Sequence, residues 1–114
     1  MILLIGGRAS GKRDYITALG YREEDIADAV LDSRPVLYNL QELIRQNPAQ
    51  AESLLPALLG KEVLACDEVG LGVIPLQKED RLYREAVGRL CILLAKEAEQ
   101  VIRLVCGIPQ VIKG

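Results

Sequence analysis

The stretch Met1-Ile2-Leu3-Leu4-Ile5, followed by Gly6-Gly7-Arg8-Ala9-Ser10-Gly11-Lys12-Arg13, decides how this 114-residue chain is read. Five apolar residues make a short buried strand. They lead into G-x-x-x-x-G-K, the layout of a loop that turns backbone N–H groups onto a phosphate. In such a loop the glycines permit the turn and the lysine reaches the outer phosphates. A hydroxyl on the following residue ligates Mg²⁺. Here that residue is Arg13. The segment Gly6 to Arg13 therefore keeps the cradle and the lysine and lacks the magnesium ligand. The bland counterpart is a glycine-rich turn with an exposed lysine. The position after a strand and before a helix-forming segment favours phosphate binding.

The length predicts a single domain over residues 1–114, large enough to bury a core. Half of the residues are hydrophobic, with no Phe and no Trp, so the core must be aliphatic with four tyrosines. A net charge of −2 speaks against a general nucleic-acid binder. No apolar run approaches the roughly 20 residues that span a bilayer. Met1 leads into a strand without a basic leader, so the expected location is cytoplasmic. Cys66, Cys91 and Cys106 lie apart from one another in apolar surroundings and read as small core residues. The chain has no histidine, which excludes Ser-His-Asp and Cys-His chemistry and any histidine-borne intermediate.

Along the chain, Lys12 to Leu19 reads as a helix stopped by Gly20. Glu23-Glu24-Asp25 reads as the acidic first turn of a helix that places Ile26, Ala29 and Val30 on one face. Asn39 to Glu42 has the pattern of a capping box ahead of Leu40, Leu43 and Ile44. Asn47-Pro48 starts a further helix, which Pro56 kinks or splits. Glu62 to Cys66 is a strand ending in Asp67-Glu68. The longest helix runs from about Glu79 to Glu99, with Tyr83, Val87, Leu90, Leu94 and Ala98 along its apolar side. Gly88 within it suggests a close approach by a backbone or a ligand. Val101 to Cys106 is another strand, Gly107-Ile108-Pro109 a turn, and Gln110 to Lys113 a short edge strand.

Strands alternating with helices predict an α/β fold with a mainly parallel sheet, whose ligands bind beyond the C-terminal strand ends. That rule brings the glycine loop and Asp67-Glu68 to one edge. Asp67 is then a candidate Mg²⁺ ligand, and Lys12, Asp67 and Glu68 are candidate catalytic groups. A strand also ends in an acid simply because the chain leaves the core. Gly70 and Gly72 read as part of a ligand-lined loop. Arg84 and Arg89 on the long helix are candidate anion contacts, against the alternative of a solvated face.

From Asp67 onwards, Asp67-Glu68-Val69-Gly70-Leu71-Gly72-Val73-Ile74-Pro75 resembles the N/D-E-V-G-x-G-I-V-P segment of the bifunctional adenosylcobinamide kinase / adenosylcobinamide-phosphate guanylyltransferase family. Arg81 to Arg89 resembles its R-x-F-R-D-x-x-G-R, and Val105 to Lys113 its closing strand and G-x-P-x-x-x-K tail. Gly6 to Lys12 resembles its G-G-x-x-S-G-K loop. Arg34-Pro35 with Tyr38 and Glu42 is similar to R-P-x-x-W-x-T-x-E, tyrosine standing for tryptophan; this adds Arg34 to the candidate ligand contacts. The resemblance implies a P-loop NTPase-like fold, ATP or GTP with Mg²⁺, a corrinoid partner and a homo-oligomer, in that family a trimer.

It also shows departures. The family's guanylylated histidine would fall at Val30, which cannot form a phosphoramidate. Leu90-Cys91-Ile92 replaces x-N-Q. Segments that carry strands in the family are missing, so the expected sheet has only three to four strands. Two main readings follow. One is a reduced cobinamide kinase in which Arg13 points its charge into the metal position. The other is a degenerate nucleotide- or anion-binding member with guanylyl transfer lost, or, more blandly, a non-catalytic assembly subunit.

Overall fold

The computed structural model describes residues 1–68 and 77–114. The elements are β1 (Ile2–Gly6), α1 (Lys12–Ala18), a single 3-10 turn (Glu23–Asp25), β2 (Ile26–Asp28), β3 (Val36–Tyr38), α2 (Leu40–Gln46), a 3-10 stretch (Pro48–Leu54), α3 (Leu55–Leu59), β4 (Val63–Asp67), α4 (Lys78–Glu97), β5 (Gln100–Val105) and β6 (Ile108–Lys113). They form one sheet in the order β2-β3-β4-β1-β5-β6. Every pairing is parallel except β5 with β6. The α/β class and the mainly parallel sheet are as expected. The strand number is six instead of three to four.

β1 is central because both of its faces are apolar. Successive side chains of a strand point to opposite faces. On one face Leu3, Leu37, Leu64, Cys66 and Val101 meet Leu40, Ile44, Leu58, Tyr83, Val87, Leu90 and Leu94 from the helices. On the other, Leu4, Val36, Val63, Ala65 and Ile102 meet Ile16 of α1 and Ile26. Nearly all of the helical mass therefore covers the first face. Leu90 and Leu94 are fully buried, and each contributes about 2 kcal/mol of burial.

The additional strands come from segments without a readable period. β2 and β3 have three residues each. The expected helix over Glu23 to Val30 is instead one 3-10 turn running into β2. Tertiary bonds impose this. The Arg34 guanidinium binds Asp32 and the Ile26 carbonyl. Lys61 Nζ bonds the carbonyls of Asp32 and Arg34. Together they fasten the β2–β3 connection to the sheet.

Asn39 does not form the expected capping box. It takes a left-handed backbone at φ 56°, and its side chain makes no cap bond to α2. Pro56 sits in the first turn of α3, so the split expected there occurs. Nothing lies within 4 Å of a Cβ built on Gly88, so that glycine accommodates no close approach among the described residues. Of the cysteines only Cys66 is fully buried, and Cys106 is exposed. Cys106 and Gly107, with φ of 51° and 77°, form the left-handed pair of the β5–β6 hairpin turn. β6 is exposed along its whole length. Its Lys113 Nζ donates to the carbonyls of Ala95 and Lys96 and so caps the end of α4.

Candidate functional site

Parallel strands running side by side deliver their ends to one edge, and there the register places Gly6 beside Asp67. The turn after β1 uses Ala9 at φ 57° and Gly11 at φ 96°. It folds back so that Lys12 Nζ reaches the Gly7 carbonyl at 2.8 Å and the Gly6 carbonyl at 3.2 Å. Ser10 Oγ is a longer contact at 3.4 Å. The Asp67 carboxylate completes the set at 2.7 Å. Lys12 is almost fully buried, at 2% exposure, whereas Asp67 keeps 22%. The ammonium thus sits inside its own loop, surrounded by oxygen.

Asp67 is held from behind. Its backbone N–H donates to Oε1 of the buried Gln41 at 2.9 Å. Gln41 Nε2 donates to Asn39 Oδ1, and Asn39 Nδ2 donates to Asp28 Oδ1. This chain runs along the ends of β2, β3 and β4. Its donors alternate with acceptors, which fixes the amide orientations. The left-handed backbone of Asn39 aims its side chain into the chain. Gln41 was missed in the sequence, although a polar residue beside Leu40 and Ile44 on an apolar stripe was the available signal.

Glu68 is the second acid. Its backbone N–H donates to the Gly6 carbonyl at 2.8 Å. Its carboxylate accepts two bonds from Arg103, at 2.7 and 3.1 Å. These bonds hold the Arg103 guanidinium firmly in its charged form. Arg103 lies on β5, paired with Ile5 across the sheet. It too was missed, although a charge inside Val101-Ile102-Arg103-Leu104-Val105 stands out.

Arg13 turns away from Lys12. Its guanidinium binds Glu23 at 2.7 Å and lies over the Tyr38 ring, 4.8 Å from the centroid. The idea that Arg13 points at a metal position beside the loop is corrected by this pairing. Gly7 is half-buried, and Arg8 and Ala9 are exposed at the loop tip. Ser10 is held by the hairpin, its carbonyl accepting the Gly107 N–H at 2.9 Å.

The other candidates lie elsewhere. Arg34 fastens the β2–β3 connection. Arg84 is half-buried on α4. Arg89 pairs with Glu85 at 3.3 Å and lines a cavity of about 630 Å³ between the 3-10 stretch and α4, which shares no residue with the glycine loop. Gly70 and Gly72 fall outside the described residues.

The donor set bears on magnesium. Asp67 is engaged by Lys12, Glu68 by Arg103, and position 13 carries a guanidinium in place of a hydroxyl. Mg²⁺ usually takes one or two carboxylates beside phosphate oxygens and waters. Here Asp67 would be open to it only once Lys12 is drawn away, and the hydroxyl ligand at position 13 is missing. Lys12, Arg13 and Arg103 are each matched by a carboxylate, so a phosphate entering the loop competes with Asp67 for the Lys12 ammonium.

Comparison with known proteins gives two matches. The sequence model of the cobinamide kinase / cobinamide phosphate guanyltransferase family matches residues 28–112, a span that excludes the glycine loop. The bifunctional adenosylcobalamin biosynthesis protein CobP of Pseudomonas aeruginosa is 38% identical over 60 residues. That alignment covers 53% of this chain and 35% of the relative. No described helix is long and apolar enough to cross a membrane.

Proposed function

Because this chain belongs to the cobinamide kinase / cobinamide phosphate guanyltransferase family, we propose that it is a nucleotide- or phosphate-binding member serving cobalamin biosynthesis, without guanylyl transfer of its own. The observation that carries this reading is the Lys12 site. A buried ammonium held by two loop carbonyls and one replaceable carboxylate can be handed to a phosphate oxygen. The sequence supplies the negative half. With no histidine, these residues cannot carry GMP on an imidazole, the route that the family resemblance implies. Val30, at the position the histidine would take, is a half-exposed apolar side chain. The guanidinium in place of a hydroxyl at position 13 supports binding over phosphoryl transfer, because transfer relies on a metal to neutralise developing charge.

A second reading, a non-catalytic assembly subunit, is favoured by exposed Ile92, Ile108, Val111 and Ile112. The test is a calorimetric titration with ATP and with GTP, each with and without Mg²⁺. Binding that does not depend on Mg²⁺ is expected. Micromolar, Mg²⁺-dependent binding with turnover of cobinamide would establish a working kinase. Silence at millimolar nucleotide would leave the assembly role.

A further inference from the structure

Two thiols face each other at the back of the Asp67 strand. Cys66 Sγ and Cys91 Sγ lie 3.8 Å apart, one on β4 and the other on α4. Cys66 is fully buried within the core cluster, and Cys91 packs at its margin with part of its surface open. Cys106, at the hairpin tip, belongs to neither. The pairing is long-range and unforced, since one residue is set by the strand alternation and the other by the helical period. Neither thiol contributes to the Lys12 site.

We propose that Cys66 and Cys91 form a reversible oxidation site for hydrogen peroxide, with Cys91 the attacking thiol and Cys66 its resolving partner. The roles follow from access. Cys91 Sγ donates to Cys66 Sγ, and Cys66 Sγ in turn donates to the Asp67 carbonyl at 3.4 Å, so the strand thiol is enclosed. Cys91 keeps part of its surface open and is the thiol that a small oxidant reaches first.

The Cys91 thiolate attacks a peroxide oxygen, the O–O bond breaks, and the departing oxygen leaves as water after taking a proton. This leaves a sulfenic acid. Cys66 then gives up its proton and attacks the Cys91 sulfur. The S–S bond forms, the S–O bond breaks, and a second water leaves. Two thiols and one peroxide become one disulfide and two waters, with two electrons passing from sulfur to oxygen. Bonding requires the sulfurs to close from 3.8 Å to about 2 Å. β4 is clamped between β1 and β3, so α4 supplies the movement and tightens onto the strand that carries Asp67.

The test uses the full chain as Cys106→Ser, reduced and then treated with stoichiometric hydrogen peroxide. Free thiols are counted under denaturing conditions, and the intact mass and peptide map are recorded. The expected result is loss of both thiols, a mass lower by two hydrogens, a Cys66–Cys91 cross-linked peptide, and full return with dithiothreitol. The oxidised chain should also unfold at a higher temperature than the reduced one. In the Cys91→Ser, Cys106→Ser chain, Cys66 should remain a thiol. The wild-type chain mapped in the same way gives an independent check. Two surviving thiols, Cys91 oxidised further without a bridge, or disulfides only between chains would overturn the proposal.

Discussion

The glycine loop is held on two flanks, and the flanks work differently. Towards β4 the contacts are charged and exchangeable: Asp67 on Lys12, with Gln41 and Asn39 behind it. Towards β5 they are steric and backbone-borne. Gly6 packs against the Leu104 carbonyl, Gly11 against the Gly107 Cα, and Ser10 accepts the Gly107 N–H. A ligand can compete for a carboxylate, but it cannot displace a strand. The β5 flank therefore sets the shape of the loop, and on the binding reading the β4 flank is the one an anion would compete with.

The largest effect is expected where the steric flank is tightest. A Cβ at Gly6 would collide with Ser10 Oγ and lie 2.8 Å from the Leu104 carbonyl oxygen. Neither the central strand nor the turn can yield cheaply. Gly6→Ala should cost about 3 kcal/mol, as overpacking beside backbone does, and should be read as a lowered denaturant midpoint at unchanged m-value. A loss under about 1 kcal/mol would show a loop less closely set than this.

The charged flank should respond less in stability and more in binding. Asp67→Ala leaves the buried Lys12 ammonium with neutral acceptors alone. Removing one partner of a fully buried pair costs 3–5 kcal/mol; with Asp67 22% exposed, about 2 kcal/mol is expected. The same change removes the carboxylate that competes with an anion, so inorganic pyrophosphate should bind tighter to the less stable variant. Opposite movement of the two readouts is the signature of an exchangeable flank. Parallel losses would make Asp67 part of the rigid frame.

The hairpin tip divides sterics from backbone conformation. Gly107 has φ +77° with nothing near its Cβ direction, so Gly107→Ala carries only the left-handed penalty, about 1 kcal/mol. Gly11→Ala carries the same penalty plus a contact at 3.1 Å to Gly107 Cα and should cost more. Thermal melts of the two variants would separate the contributions. Equal losses would dismiss the contact between the loop and the hairpin.

The two flanks also differ in how far the sequence revealed them. Met1 to Lys12 was legible because an apolar run, a glycine turn and a helix start all act locally. Asp67 was legible because the parallel-sheet rule brings strand ends together. Leu90 and Leu94 followed from their period. The short strands β2 and β3 were hidden, since three residues hold no period and their pairing depends on Arg34 and Lys61 side chains reaching across loops. Arg103 and Gln41 were hidden for a related reason. Each is ordinary as a residue type and gains its role from a partner 35 or 26 positions away. The tail lysine was seen as part of a motif, but its place as the cap of α4 required the hairpin.

Arg13 lies on the charged flank and should show the smallest stability effect of all. Its bonds to Glu23 and its stacking over Tyr38 are at the surface, with Glu23 75% exposed. Such a pair contributes about 0.5 kcal/mol or less. Arg13→Ser should therefore melt within a degree or two of the parent. Its consequence lies in binding. The serine returns a hydroxyl to the position after Lys12, where phosphate loops hold their metal. Mg²⁺–nucleotide affinity should then rise above that of nucleotide alone, which the parent chain does not show on the binding reading. If the variant gains affinity only for free nucleotide, the change comes from lost charge at Arg13 and not from a restored ligand. If it gains neither, Asp67 remains committed to Lys12, and the double variant Arg13→Ser, Asp67→Ala would locate the block on the β4 flank.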